Sequence, residues 1–508
     1  MTILGPALCC GNLTKWVRGR RRNRFAAALL ASVSLTGCAV GPDFSAPARP
    51  SEQSYLPEHA TALGSQGRGE IRQSLDLGAT LQADWWTRLR SPELDRTVAL
   101  ALGNNQTIDI ARANVARAGE LVTAARGSLY PQVDAAAGLA RRQYGASFLG
   151  PEAFTFPTFS AYTGGLNVSY DLDIFGGTHR GIELAAADAD IQQEALNAAR
   201  LTVAGDTVIA ALLSGSIRAQ IDVVQRVIAS DQRNIDLVQA AHGAGVATQI
   251  DVTTAQSQLD RDRALLPPLH QQLDVTRDAL AILVGKSPAT WAAPDFDLRK
   301  MTLPQNIPLA FPSDLVRARP DIRAAEARLR VANAAVGVAT ADLYPRVTLS
   351  AAMAEEGLLA GPAGAAWSLV GGLAAPIFDG GALSARQRAA QDAYQAALGD
   401  YQQTVLVAFQ QIADNLHGLA NAADSVRTEQ QALDSASAAL RLTRLGYGVG
   451  NAGIVQVIDA QRLQQLAELN LVQVRAQRYV VTVNLFVAAG GGLADTSKRM
   501  AMARQMSR

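Results

Sequence analysis

Lysine is almost missing from this chain of 508 residues: only Lys15, Lys286, Lys300 and Lys498 occur, and arginine supplies nearly all the positive charge. That is a bias of composition and carries no mechanism by itself. Histidine is equally sparse. His59, His179, His242, His270 and His417 are scattered, with no pair spaced to share a helix face, so the ligand spacing of a metal site is absent. No apolar run is long enough to span a bilayer as a helix. No nucleophile–base arrangement is visible, so the chain reads as a non-enzyme without a dissociable cofactor. Cysteine is confined to Cys9, Cys10 and Cys38.

Two of those cysteines lie in a targeting segment. Arg18, Arg20, Arg21, Arg22 and Arg24 form a basic region, and Phe25 to Leu35 is an apolar stretch too short to span. Leu35-Thr36-Gly37-Cys38 follows and resembles a bacterial lipobox, in which the cysteine becomes the acylated first residue. Residues 1–37 thus read as a signal peptide and Cys38 as a lipidation site, carrying a covalent lipid such as palmitate. Cleavage removes six basic residues and no acidic one, leaving 40 basic and 45 acidic residues and a net charge of about −5. That balance disfavours nucleic acid as a partner. Cys38 is then the only cysteine, which excludes a disulfide framework. Residues 38–91, with Pro42, Pro47, Pro50 and Pro57, read as a lipidated N-terminal tether lying over the surface.

What the chain does have is repetition. Leu129-Tyr130-Pro131-Gln132-Val133 recurs as Leu343-Tyr344-Pro345-Arg346-Val347, an offset of 214. His242-Gly243-Ala244-Gly245 recurs as Tyr447-Gly448-Val449-Gly450, an offset of 205, and Phe175-Gly176-Gly177 matches Phe378-Asp379-Gly380-Gly381 between them. The order of landmarks is the same in both halves, so the chain is a tandem duplication. The first repeat spans 92–312, with a hairpin at 131–175 and helices at 181–241 and 249–284. The second spans 313–490, with a hairpin at 345–378 and helices at 382–445 and 454–488. A C-terminal tail covers 491–508.

Each hairpin carries a strand signal. Leu166, Val168, Tyr170, Leu172 and Ile174 alternate with Asn167, Ser169, Asp171 and Asp173. One apolar and one carboxylate-bearing face suit a barrel wall between lipid and water. Tyr144, Phe148, Phe154, Phe156 and Phe159 fall in the loop of the first hairpin and suggest a membrane interface. The second hairpin reads as Val347 to Met353 and Trp367 to Phe378, linked through Gly357, Gly361, Pro362 and Gly364. The helices that follow are long: residues 181–241 contain no proline and correspond to roughly 90 Å of helix. Ile217, Ile221, Val224, Ile228, Ile235 and Val238 recur at steps of three, four and seven, as in a coiled-coil seam. Pro267-Pro268 marks an expected bend in the first return helix. Four strands alone leave open edges, which lipid does not tolerate. Several copies must therefore pool strands into a closed β-barrel and helices into an α-helical coiled-coil cylinder.

The motifs resemble, in order, those of TolC/OprM-type outer-membrane factors, and in particular the NodT group of efflux outer-membrane lipoproteins. They are Cys38-Ala39-Val40-Gly41-Pro42-Asp43-Phe44, Trp85-Trp86 with Ser91-Pro92-Glu93-Leu94, Leu129-Tyr130-Pro131, Arg319-Pro320-Asp321-Ile322, Pro376-Ile377-Phe378-Asp379-Gly380-Gly381, and Tyr447 through Gln461. The resemblance implies a homotrimer with a twelve-stranded barrel in the outer membrane and a periplasmic helical tunnel. It implies as partners a periplasmic adaptor and an inner-membrane pump of the RND class. It also implies a gate after the second helix turn, with Asp459 and Gln456 at positions commonly acidic, Val455 at an apolar constriction, and Tyr447 in a restraining network. The basic partner usual for that tyrosine is missing from Asn451-Ala452-Gly453. Gly243, Gly245, Gly448 and Gly450 fall at the tips that would dock the adaptor, where a reversal calls for positive φ and close approach.

Gly448-Val449-Gly450-Asn451-Ala452-Gly453 fits a dinucleotide fingerprint by letter, but a long helix precedes it where the motif needs a strand. Three functions fit the architecture: an exit duct for small toxic molecules, a duct for a one-step protein secretion system, and a non-conducting coiled-coil scaffold. The carboxylate-faced strands argue against the scaffold, and the lipobox favours efflux.

Overall fold

The computed structural model describes residues 39–48, 50–56, 73–143 and 157–492. Cys38, the signal segment, residues 144–156 of the first hairpin loop (with Tyr144, Phe148, Phe154 and Phe156) and residues 493–508 lie outside them. Among the described residues, regular structure starts with β1 (Ser74–Leu77), α1 (Pro92–Asn104) and α2 (Gln106–Gly127). The first hairpin, β2 (Gln132–Arg142) and β3 (Phe159–Leu172), leads into α3 (Gly177–Gly243), α4 (Gln249–Arg263) and α5 (Leu266–Leu283). After β4 (Asn306–Leu309), α6 (Pro312–Ala318) and α7 (Pro320–Ala341), the second hairpin is β5 (Arg346–Leu358) and β6 (Ala363–Ala374). The last elements among the described residues are α8 (Ala382–Gly448) and α9 (Ile454–Ala488). Both α3 and α8 run for 67 residues, which at 1.5 Å per residue is about 100 Å.

The four long strands form one antiparallel sheet in the order β2-β3-β5-β6. Its register sorts side chains by face through most of the sheet, with Arg141 and Glu355 joining the otherwise apolar face near the hairpin turns. Val133, Val168, Ala351 and Leu369 make one row across the sheet, and Ala135, Leu166, Met353 and Trp367 the next. On the other face run Asp134, Asn167, Ala352 and Ser368, and Gly138, Thr163, Glu356 and Gly364. The apolar face is bare: Leu139, Trp367, Leu369 and Leu373 are 78%, 80%, 73% and 72% exposed. Among the described residues, no strand pairs with the outer edges of β2 and β6. The strands of the second hairpin reach further toward the turn than expected, and β6 stops at Ala374, short of the expected Phe378. Gly357 pairs with Ala363 and Gly364 with Glu356, so these glycines belong to strands and only residues 359–362 turn.

Each helix start has a local cause. Gly176 caps α3 at φ 75°, and Gly381 caps α8 at φ 86°, both left-handed positions that favour glycine. The Asp173 carboxylate accepts from the Thr178 and His179 amides at 2.9 Å each, and Asp379 accepts from Gly381 and Leu383. These carboxylates occupy the positive end of the helix dipole. The expected break between α4 and α5 occurs at 264–265, with Pro267 in the first turn of α5 where its missing amide costs nothing. Gly285, at φ 73°, ends that pair; a Cβ there would stand 2.1 Å from the Asn104 carbonyl oxygen.

The main core lies at the waist of the long helices. Trp85, Leu212, Ile322, Ile412 and Phe486 are joined there with β1 and β4, and the Trp85 and Phe486 rings lie 5.7 Å apart. Residues 73–91 are therefore part of the core and not a surface tether: β1 pairs in parallel with β4, and Trp85 and Leu89 are each 1% exposed. The sequence stretch from Arg319 to Ile322 has a structural reason. Arg319 is buried, forks onto Asp321 at 3.0 and 2.6 Å, and donates to the Ala488 carbonyl at 2.9 Å, bolting the start of α7 to the end of α9. One stretch of α3 is apolar enough to pass for a membrane span, contrary to the sequence reading, but 67% of it is buried against other helices. It serves as a core helix.

Replacing Trp85 with alanine should cost about 3–5 kcal/mol and lower the thermal unfolding midpoint of the detergent-solubilised protein. An unchanged midpoint would remove Trp85 from the centre of the waist.

Candidate gate and inter-helix network

Far from the waist, α3 turns into α4 and α8 turns into α9. A second apolar cluster holds these ends together, with Ile235 and Val238 of α3, Ala255 and Leu259 of α4, Leu440 of α8, and Ile454, Val457 and Ile458 of α9. The four tip glycines are not equivalent. Gly245 and Gly450 have φ of 77° and 78°, the left-handed geometry the reversals need. Gly243 and Gly448 end their helices with negative φ, and nothing lies within 4 Å of a Cβ built on any of the four. Close approach is thus not the reason for glycine here. On the first turn Thr248 and Asp251 form a reciprocal capping box, which also holds the Asp251 carboxyl below the usual carboxylate range through the Thr248 amide and hydroxyl.

Val455 and Asp459 both stand on the open side of α9, Val455 at 48% exposure. With Ile250, Thr254 and Arg261 of α4 and Arg462 of α9 they line a groove of about 630 Å³. Gln456 is engaged elsewhere: its side-chain oxygen accepts the Gly453 amide at the start of α9. Tyr447 is half-buried and packs against the tip cluster.

The polar link between the two helix pairs uses residues the sequence reading missed. Arg444, three residues before Tyr447, donates to Ser230 Oγ at 3.0 Å and to Gln461 Oε1 at 3.2 Å. Asn234 donates to the same Gln461 oxygen at 2.9 Å, and Gln461 Nε2 donates to Asp231 Oδ1. Gln465 and Gln258 donate to the two oxygens of Asp262 at 3.0 and 2.8 Å. Asp231, Asp262, Gln461 and Gln465 are all buried, at 3%, 4%, 5% and 4% exposure. Burial first, and then the adjoining Asp262 carboxyl, push the Asp231 carboxyl up to about 7, with Gln461 opposing. The signal for this network was in the seam itself. Between Ile228 and Ile235 the apolar spacing skips a step, and the residue at the skipped position is Asp231. A polar group at one seam position is a known way to fix register between helices.

Comparison with known proteins agrees with this architecture. The family model described as outer membrane efflux protein matches residues 97–286 and 311–491. Outer membrane protein OprJ of Pseudomonas aeruginosa is 30% identical over 475 residues, covering 92% of this chain and 95% of the relative. Nodulation protein T of Rhizobium leguminosarum bv. viciae is 28% identical, covering 93% and 94%. The solved structure of the outer-membrane channel OprN superposes with a TM-score of 0.79 at 25% identity, covering 90% of this chain and all of that one. Matched in both repeats by one family model, and sharing the fold of outer-membrane channels with a helical tunnel, the chain belongs to the outer membrane efflux protein family.

Proposed function

We propose that three copies of this chain assemble into a twelve-stranded barrel continuous with a periplasmic helical tunnel, and that this assembly is the passive exit duct of a tripartite pump for small toxic molecules. The observation that carries the reading is the two-faced sheet, whose two outer edges have no partner strand among the described residues. In lipid its bare apolar face is favourable, and its open edges are not. The two hairpins repeat each other: Gln132 pairs with Ser169 as Arg346 pairs with Ala374, and within the chain Ser169 pairs with Ser350. The same step across a seam between copies sets Ala374 opposite Ala136 of the partner subunit. That register keeps the rows of Val133 and Ala135 on the same side all the way round.

Cys38 would carry the lipid anchor. The residues after it support this: the Val40 amide donates to the Phe175 carbonyl at 3.0 Å, Arg180 donates to Asp43 at 2.8 Å, and Asn333 donates to the Pro42 carbonyl at 2.9 Å. These contacts hold the segment at the junction of β3 and α3, next to the membrane-facing sheet. The tips carrying Gly243, Gly245, Gly448 and Gly450 would receive the periplasmic adaptor, and an inner-membrane RND pump would supply the energy. Asp459 and Val455 would form the narrow ring of the gate, with Tyr447 packed behind them and Gln456 acting as a helix cap. Three Asp459 carboxylates around one pore favour cations and repel anions.

The function is tested in cells. Deleting the gene should sensitise them to toxic small molecules, and deleting the cognate pump should give the same phenotype. Unchanged susceptibility across a broad compound panel, with loss of a secreted protein, would transfer the duct to protein secretion. The gate is tested in bilayers. The wild-type oligomer should give a small cation-selective conductance, and Asp459→Ala should lose most of that selectivity. A large conductance indifferent to the substitution would move the constriction elsewhere.

A further inference from the structure

Asp231 of α3 and Asp262 of α4 are the most deeply buried acidic groups of the tip region, and the gate does not use them. The donors that reach them are neutral amides: Gln461 on Asp231 Oδ1, and Gln465 and Gln258 on Asp262. Asp231 Oδ2 is fully buried and meets no donor. The other group against the Asp231 carboxyl is the Asp262 carboxyl, itself an acceptor when ionised. Two ionised carboxylates in this position would repel each other out of reach of water, and an oxygen would stay unsatisfied. A single proton between them removes both penalties.

The surrounding charges do not offer another solution. Arg444 of α8 bonds Ser230 and Gln461 and neither carboxylate. On α3, Arg226 pairs with Glu468 of α9. On α4, Arg263 reaches Asp260 and Gln232. Arg261 of α4 and Arg462 of α9 line the open groove.

We propose that Asp231 and Asp262 share one proton and act as a latch: the protonated pair holds the first helical hairpin against α9, and loss of the proton loosens the tip. The hydrogen bonds run from α3 and α4 through Gln461 and Gln465 to α9 and onward to Arg444 of α8, so all four tip helices meet at this one pair. The packed state favours the protonated form. The stabilisation is therefore full below the ordinary aspartate value of 3.8 and is lost as pH rises through about 7. The latch belongs to a single protomer; only its consequence, a tip that opens more readily at neutral and alkaline pH, rests on the duct reading.

Hydrogen–deuterium exchange on the full-length oligomer tests it, at about pH 6 and about pH 8.5, corrected for intrinsic exchange. In the wild type, peptides spanning 228–238 and 255–265 should lose about tenfold protection at the higher pH. Asp231→Asn, whose amide keeps a donor where the proton sat, should hold its protection at both. Asp262→Asn serves the same purpose if the first variant fails to assemble. Wild-type protection that ignores pH, or an equal pH dependence in the asparagine variants, would overturn the proposal. A pH-dependent latch in an oligomer that conducts nothing would leave the latch standing and remove the duct.

Discussion

The whole structure depends on a sheet that cannot exist alone. Four strands carry mostly apolar side chains on one face and polar ones on the other, and among the described residues the two outer edges are unpaired. In water the apolar face would drive aggregation; in lipid the edges would leave backbone groups without partners at several kcal/mol each. Both problems disappear together if the sheet closes on copies of itself in a membrane. The helical part of the protomer is continuous with this sheet. The strands hand over to helices through Gly176 and Gly381, so each hairpin continues into a helix far longer than a single protomer could bury.

The helices solve their own burial problem in two places. At the waist, a core built around Trp85 and Phe486 draws in the N-terminal segment, β1 and β4. Near the tips, a smaller apolar cluster is joined by a buried polar network. Buried charge is an expensive way to hold helices together, and well-packed apolar residues of similar volume often do better. Its presence on the seam therefore calls for a purpose besides stability. Register between helix pairs is one such purpose, and a pH-dependent latch adds another.

Much of the fold was legible in the sequence, because the repeat and the alternation are local signals. The strict two-residue period at 166–172 named the strand, and proline and glycine named the helix ends. What could not be read was long-range. Residues 73–91 look like a linker because of their composition, yet Trp85 is driven into the waist by packing that only the folded helices create. The site was legible in part. Asp459 and Val455, named from the resemblance, stand on the open face of α9, whereas Gln456 caps its own helix. The network was hidden because its members come from four helices, and only the skipped step at Asp231 announced it. Arg444 lies upstream of Tyr447, where the family pattern gave no reason to look.

Closure of the sheet on other copies of the chain is tested by a disulfide across the proposed seam. Ala136→Cys and Ala374→Cys in one chain place the two thiols on opposite edges of the same sheet, beyond the reach of an intramolecular bond. If copies close in the register proposed here, oxidation of the membrane-extracted protein gives a covalent ring of three chains that reducing agent dissolves. Monomers after oxidation, together with crosslinking only when the β2 cysteine is moved from Ala136 to Asp134 or Gly138, would contradict the register, and monomers in every pairing would contradict closure itself.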